Sequence, residues 1–438
     1  MLEARTWVPP ESENYVQALA KRFAAQTPEQ NERDLLAFVE ENRVIHERDC
    51  FNLNPATNAI NPKAEALLAA GVGSRPSLGY PGDKYEMGLE GVEKIEVLAA
   101  ELVAQVFDAR YAEIRVASGA LANLYAYMAA AKPGDTVFVP SATVGGHFSH
   151  HANGAAGMYG VKPYLMAFDG HGYTVDLDAL REDALRLRPK VITLGQSLNL
   201  FAHPIREVRA IADEIGAIVL YDAAHLCGLI AGRAWQQPLE EGAHLMTMST
   251  YKSLAGAPGG LIVTNDARMA QKLDAIAYPG MTANFDASKS ASIAMTMLDW
   301  QAFGEAYAAE MVRTAQALAG ALVDQGLPVF ARDRGATTSH QLAIEAHRFG
   351  GGHAMAKLLR RANILACGIG LPLPEIEGDV NGLRLGTPEL ARWGMTAGDM
   401  PQLAAFIADV LLRRQAPEDV APAVSEYRRR FSELHYLR

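Results

Sequence analysis

The chain has 438 residues, 49% hydrophobic and 21% charged, with a net charge of −10. That length calls for two domains, or a large one and a small one, and the acidic balance offers no basic face to neutralise nucleic-acid phosphates. There is no charge-free run of about 18 apolar residues to span a membrane, and the start Met1-Leu2-Glu3-Ala4-Arg5-Thr6-Trp7 lacks the basic end and apolar core of a signal peptide.

In chain order, residues 14–48 place apolar positions at helical spacing and predict an N-terminal arm and helix, whereas Phe51 to Pro81, rich in Asn, Pro and Gly, reads as irregular chain. Glu90 to Phe107 has helical periodicity. Short apolar strands then alternate with helices: Ile114-Arg115-Val116-Ala117, a helix over Leu121 to Ala131, Thr136-Val137-Phe138-Val139-Pro140, Val191-Ile192-Thr193-Leu194-Gly195, a helix through Val208–Ile215, Ala217 to Asp222, and Leu261-Ile262-Val263-Thr264. Continuous apolar strands separated by helices predict an α/β fold with a mostly parallel sheet covered on both faces. Residues 290–325 read as a long helix leading into a smaller α+β domain with strands near Gln341–Glu345 and Gly382–Gly386. The expected division is an N-terminal segment 1–87, a large domain 88–325 and a small domain 326–438.

Ligands of such sheets bind at the carboxyl ends of strands, and Ser118, Ser197 and Asp222 all sit at predicted strand ends. Between Ser249 and Gly260 one lysine, Lys252, is set among hydroxyl residues and a glycine-rich turn. A lysine there can form a Schiff base with a carbonyl cofactor, hydroxyls and backbone amides can hold a phosphate, and Asp222 can pair with a pyridinium nitrogen. These are the protein parts that pyridoxal phosphate chemistry requires. Ser118-Gly119-Ala120 opens a helix, where backbone N–H groups attract phosphate. His225 either contacts the cofactor's 3′-oxygen or caps the following helix. Arg384 offers bidentate pairing to an α-carboxylate. His147, His150 and His151 have no acidic companion at ligand spacing, so no metal site is expected. Cys50, Cys227 and Cys367 show neither disulfide nor zinc spacing, which suits a reducing cytoplasm.

Tyr80-Pro81-Gly82, Ser118-Gly119, Gly145-Gly146-His147, Asp222-Ala223-Ala224-His225, the Lys252 block, Thr338-Ser339-His340-Gln341-Leu342, Ala362-Asn363-Ile364 and Leu383-Arg384-Leu385-Gly386-Thr387-Pro388 occur in the order seen in serine hydroxymethyltransferases. The resemblance covers roughly residues 30–438. It implies a fold type I pyridoxal phosphate enzyme, a homodimer or tetramer with shared active sites, and chemistry at Cα of an amino acid. By that resemblance Lys252 is the Schiff-base lysine, Asp222 pairs with the ring nitrogen, and Ser197 and His225 flank the 3′-oxygen. Ser118, Gly119, Ala120 and Ser249 lie at the phosphate, with Gly260 reaching it from the neighbouring subunit. Arg384, with Tyr80 and Tyr85, meets the substrate.

The chain also departs from the family. Where the family carries Tyr-x-Glu-Gly, with a glutamate that takes part in folate-dependent transfer, this sequence reads Pro76-Ser77-Leu78-Gly79. Glu86 stands where a second tyrosine is usual, and the family's Pro-Gly-x-Gln-Gly-Gly-Pro segment becomes Pro279-Gly280-Met281-Thr282-Ala283-Asn284. In an ungapped alignment Val144 stands where the family has the histidine that stacks on the cofactor ring, and His147 takes that role only if the loop shifts. Leucine can neither donate nor accept a proton, so the expectation is folate-independent aldol or transaldol chemistry on β-hydroxy-α-amino acids of the serine, α-methylserine or threonine type, releasing an aldehyde. Folate-dependent hydroxymethyl transfer is the alternative. The base acting on the β-hydroxyl is His147, Glu86 or a water.

Overall fold

The structure, a computed structural model, describes residues 2–75 and 77–438. Pro76, singled out above, lies outside the described residues. A seven-stranded sheet forms the centre, in spatial order Tyr111–Val116, Gly260–Thr264, Leu245–Ser249, Ile218–Asp222, Val191–Leu194, Thr136–Val139 and Lys162–Leu165. From Leu245–Ser249 to Lys162–Leu165 every neighbouring pair is parallel, and Gly260–Thr264 runs antiparallel to both its neighbours. The reversal follows from chain length. Residues 250–259 are too few for a crossover helix, which takes about a dozen residues or more, so the chain must turn back as a hairpin. That hairpin connection carries Lys252.

The inner strands Val191–Leu194, Leu245–Ser249 and Gly260–Thr264 are buried throughout, as an apolar run covered on both faces requires. Two of the seven strands are absent from the sequence-based expectation. Lys162–Leu165 is an edge strand interrupted by Pro163, tolerated because an edge need not donate on its outer side. Leu245–Ser249 alternates Met with Thr and Ser, which masks its burial.

A second core surrounds the antiparallel sheet Gln341–Glu345, Gly382–Gly386 and Cys367–Ile369, with Gly382–Gly386 in the middle. Helices Gly352–Arg361 and Met400–Leu411 contribute Met355, Leu359, Leu403 and Ile407 to this core. Helix Ala287–Asp324, 38 residues long, belongs to both cores. At 1.5 Å per residue it extends about 57 Å, so Ile293, Met297 and Trp300 pack under the large sheet while Ala315, Leu318 and Leu322 pack in the second core.

Residues 51–53 differ from the irregular chain expected there. Phe51–Asn52 pairs in parallel with Ile364–Leu365, and Phe51 and Leu53 are buried in the second core. A two-residue strand whose partner lies three hundred residues downstream leaves no local periodicity. Helices Pro10–Ala24 and Pro28–Arg43 are joined by a capping box at Thr27 and Gln30 and meet through Phe23 and Phe38. No residue of the second helix is buried, and Leu35, Leu36, Phe38 and Val39 are exposed. No helix among the described residues is long and apolar enough to cross a membrane.

Candidate active site

Three parallel strands and the 250–259 hairpin place their ends on one side of the sheet. Asp222 closes strand Ile218–Asp222, Ser249 closes Leu245–Ser249, and Lys252 follows three residues later. Ser118 caps helix Gly119–Ala130, its hydroxyl accepting from the Leu121 N–H at 3.2 Å. A Cβ at Gly119 would collide with the Ser249 hydroxyl as it stands, so glycine leaves room for these two strand ends to close up at the helix start. Ser118, Gly119 and Ser249 are thus brought together where free N–H groups favour an anion; Ala120 is exposed in the same first turn.

Asp222 is buried. Its Oδ2 accepts from Asn123 Nδ2 at 2.9 Å and lies 2.8 Å from His150 Nε2, while Oδ1 accepts from the Ala224 N–H at 2.9 Å. Thr247 Oγ1 holds the Asn123 carbonyl at 2.7 Å, and Tyr127 lies 2.8 Å from His150 Nδ1. Burial works against a charge here, but the His150 hydrogen bond and charge outweigh it and keep the Asp222 carboxyl well below its usual range. Oδ1, with one N–H partner, retains accepting capacity.

Lys252 Nζ is buried and 3.2 Å from His225 Nε2. Burial and the nearby Arg384 charge lower it to about 8, against the opposing pull of Asp222. Ser253 Oγ donates to the His225 carbonyl at 2.6 Å and accepts from the Gly228 N–H at 2.9 Å, tying the lysine loop to the His225 turn. His225 is pushed well below its ordinary value by burial and by Lys252 and Arg384, so it is neutral near pH 7.

Arg384 comes from the second core and reaches the same place. Its Nη1 donates to the Ser197 carbonyl and lies 3.4 Å from His225 Nε2, while Nε and Nη2 lie 3.3 and 3.2 Å from Cys367 Sγ. Ser197 is held through its own backbone, its N–H donating to the Gly145 carbonyl at 2.7 Å. His147 is half-buried, with Nδ1 2.8 Å from Ser149 Oγ; burial pushes it down to about 4 despite the Asp222 charge, and Lys252 and Arg384 act in the same direction as burial. Val144 lies buried beneath this loop, its carbonyl accepting from Tyr173. His151 Nε2 is 2.9 Å from the Pro140 carbonyl. Among the described residues no group of three or more His, Cys, Asp or Glu is placed to hold a metal ion.

Four expected site residues lie outside the Lys252 contacts of their own chain. Tyr80 donates to Asp274 at 3.0 Å and packs edge-on against Tyr278, and Tyr85 is 78% exposed. Glu86 has a buried Oε2 without a hydrogen-bond partner. None of the three touches the Lys252 network within one chain, because Lys84 and Glu96 pin their hairpin to helix Glu90–Val106. Gly260 is buried in its own strand, where a Cβ would strike the Ser118 carbonyl of the same chain.

Sequence reasoning missed Asn123, His150, Gln341 and Cys367 as members of the network. Asn123 had a signal, as the one amide in the otherwise apolar helix that Ser118 caps. His150 was weighed only as a metal ligand, whereas its partner is Asp222.

The sequence matches the family model described as serine hydroxymethyltransferase over residues 29–407. An alpha-methylserine aldolase of Ralstonia sp is 82% identical over 438 residues, covering 100% of each chain. Another, from Variovorax paradoxus, is 57% identical over 436 residues, covering 100% of this chain and 98% of the other. The crystal structure of L-threonine transaldolase from Pseudomonas fluorescens, in its internal aldimine state, is similar with a TM-score of 0.85 at 23% identity over 96% of each chain. That likeness is one of fold, the α/β architecture of fold type I. With the family model spanning most of its length and the strand-end residues in place, the chain belongs to the serine hydroxymethyltransferase family of enzymes.

Proposed function

We propose that the protein is a pyridoxal phosphate-dependent aldolase that breaks and forms the Cα–Cβ bond of β-hydroxy-α-amino acids without folate, with α-methylserine ahead of serine and threonine as substrate. The observation that carries this reading is one buried contact network holding Lys252, His225 and Arg384 beside the Asp222 carboxylate. The full-length likeness to alpha-methylserine aldolases supports placing α-methylserine first.

The residues fit the cofactor. The glycine set against the Ser249 hydroxyl and the capped helix start at Ser118 suit a phosphate. A buried, ionised Asp222 with a free lone pair suits a protonated ring nitrogen, and Lys252 is an amine close to neutrality. Pyridoxal phosphate, when bound, supplies an electron sink for the pair left at Cα as the Cα–Cβ bond breaks. Asp222 keeps its charge throughout and so favours the protonated ring. Arg384 exchanges its thiol contacts, made to a weak acceptor, for a bidentate grip on the substrate carboxylate and thereby orients the Cα–Cβ bond. The candidates for taking the β-hydroxyl proton are His147, Glu86 and a water; His147 is neutral near pH 7 because its value lies at about 4, and it takes that proton at Nδ1 only by giving up the Ser149 N–H.

Leu78, half-buried on the loop where the family carries its glutamate, supports dispensing with folate. A homodimer is part of the reading: exposed Tyr85 and the unpartnered Glu86 oxygen are explained if that hairpin reaches a second subunit. The test is aldehyde release from α-methylserine, serine and threonine, with and without tetrahydrofolate. Release from α-methylserine without folate is expected, and strict dependence on folate would replace this reading with hydroxymethyl transfer.

A further inference from the structure

Gln341 lies on the strand that borders Arg384, and its amide has one permitted orientation. Its Oε1 accepts from the Asn199 N–H at 2.8 Å, and its Nε2 donates to the Ser197 carbonyl at 2.9 Å. A backbone N–H can only donate and a carbonyl can only accept, so turning the amide over would break both bonds. Gln341 is fully buried, and Ser339 Oγ fastens its own N–H at 3.0 Å while donating to the Asn199 carbonyl at 2.5 Å. The second hydrogen of Gln341 Nε2 is directed to His225 Nδ1, 3.4 Å away.

We propose that Gln341 is a positioning residue that fixes the tautomer of His225: Nδ1 stays unprotonated to accept from the amide, the ring proton sits on Nε2, and that N–H is turned to Lys252 Nζ. The consequence reaches the lysine. A neutral amine can accept from His225 Nε2–H, whereas an ammonium would face a donor with a donor at 3.2 Å. Gln341 therefore acts through the imidazole to favour the nucleophilic form of Lys252. Arg384 Nη1, also a donor, gives one N–H to the Ser197 carbonyl and lies 3.4 Å from Nε2, farther than Lys252 Nζ at 3.2 Å. The other titratable groups facing His225 are His147 from the glycine loop and His340 from the strand of Gln341 itself, with Asp222 acting on the lysine from the preceding strand. Orientation of a ring by the partner of its far nitrogen is a general means of setting which nitrogen carries the proton.

The proposal rests on the reading of Lys252 as the cofactor-holding lysine, and its test separates the two. Long-range 1H–15N NMR of the histidine-labelled protein, with the His225 signals identified by their loss in His225→Asn, is expected to show a protonated Nε2 and a bare Nδ1. In Gln341→Glu, a near-isosteric carboxylate turns acceptor towards Nδ1, and the protonation pattern should reverse. The pH at which cofactor-freed protein captures pyridoxal phosphate half-maximally should then rise by about one unit, because both the tautomer and the added charge favour the ammonium. Gln341→Leu should leave a mixture of both tautomers. A proton on Nδ1 in the parent protein overturns the proposal whatever the variants do. So does a folded Gln341→Glu with unchanged NMR pattern and capture profile. Covalent capture surviving in Lys252→Ala would instead refute the lysine reading and leave the tautomer result standing.

Discussion

The carboxylate of Asp222 is buried, accepts two N–H bonds and lies beside an imidazole, and each of these partners comes from a different element. Removing the charge while keeping the shape, as in Asp222→Asn, should lower kcat by about 100-fold or more, the scale of losing a preorganised electrostatic group, measured under saturating cofactor. Arg384→Lys keeps the charge but loses the planar fork; KM should rise about 10-fold or more with a smaller change in kcat. Glu389 presents a different case. Burial pushes its carboxyl up to about 7 from its ordinary value of 4.5, although Asn52 Nδ2 donates to it at 2.5 Å. The folded state then holds a proton that the unfolded state releases, so stability is lost as pH rises from about 4.5 to 7 and the loss is complete above that. Glu389→Gln should flatten this part of the profile, and denaturant midpoints of the two proteins should draw apart as pH increases through that window.

At the level of elements, the turn-back at 250–259 does more than change strand direction. It delivers Lys252 beside the end of strand Ile218–Asp222, where Ser253 locks it to the His225 turn. The hairpin of residues 79–84 is held differently, by Lys84 Nζ and Glu96 at 2.7 Å, with side chains 2% and 6% exposed, and by bonds from the same ammonium to the Gly79 and Ser77 carbonyls. Lys84→Met should cost about 3–5 kcal/mol in a denaturant melt because Glu96 is left as an uncompensated buried charge. Adding Glu96→Leu should recover much of that loss. Strands with strong β-branched apolar runs, such as Val191–Leu194 and Ile218–Asp222, were legible from sequence because burial on both faces leaves a continuous apolar signature. Leu245–Ser249 and Phe51–Asn52 were not, since their burial depends on partners that periodicity does not encode.

For the whole molecule, the exposed faces of Pro28–Arg43 and of the Tyr85 hairpin support association, and light scattering of the purified protein should give twice the chain mass of 47.2 kDa. Loss of that species in Tyr85→Asp, together with activity, would place the hairpin at the contact. The chemistry-bearing types were readable from the chain alone, because a lysine among hydroxyls, an aspartate closing an apolar strand and an arginine before a turn each restrict what the local backbone can present. Sequence thus determined the α/β class, the strand-end position of Asp222 and the candidate roles of Lys252 and Arg384. Tertiary structure decided which groups meet. It gave Asp222 to His150 and Asn123, set Arg384 against Cys367, turned Gln341 towards His225, and kept Tyr80, Tyr85 and Glu86 away from the network of their own chain. Those pairings join residues far apart along the chain. Hydrogen-bond complementarity and packing select them only once the sheet has formed, and no local pattern carries that information.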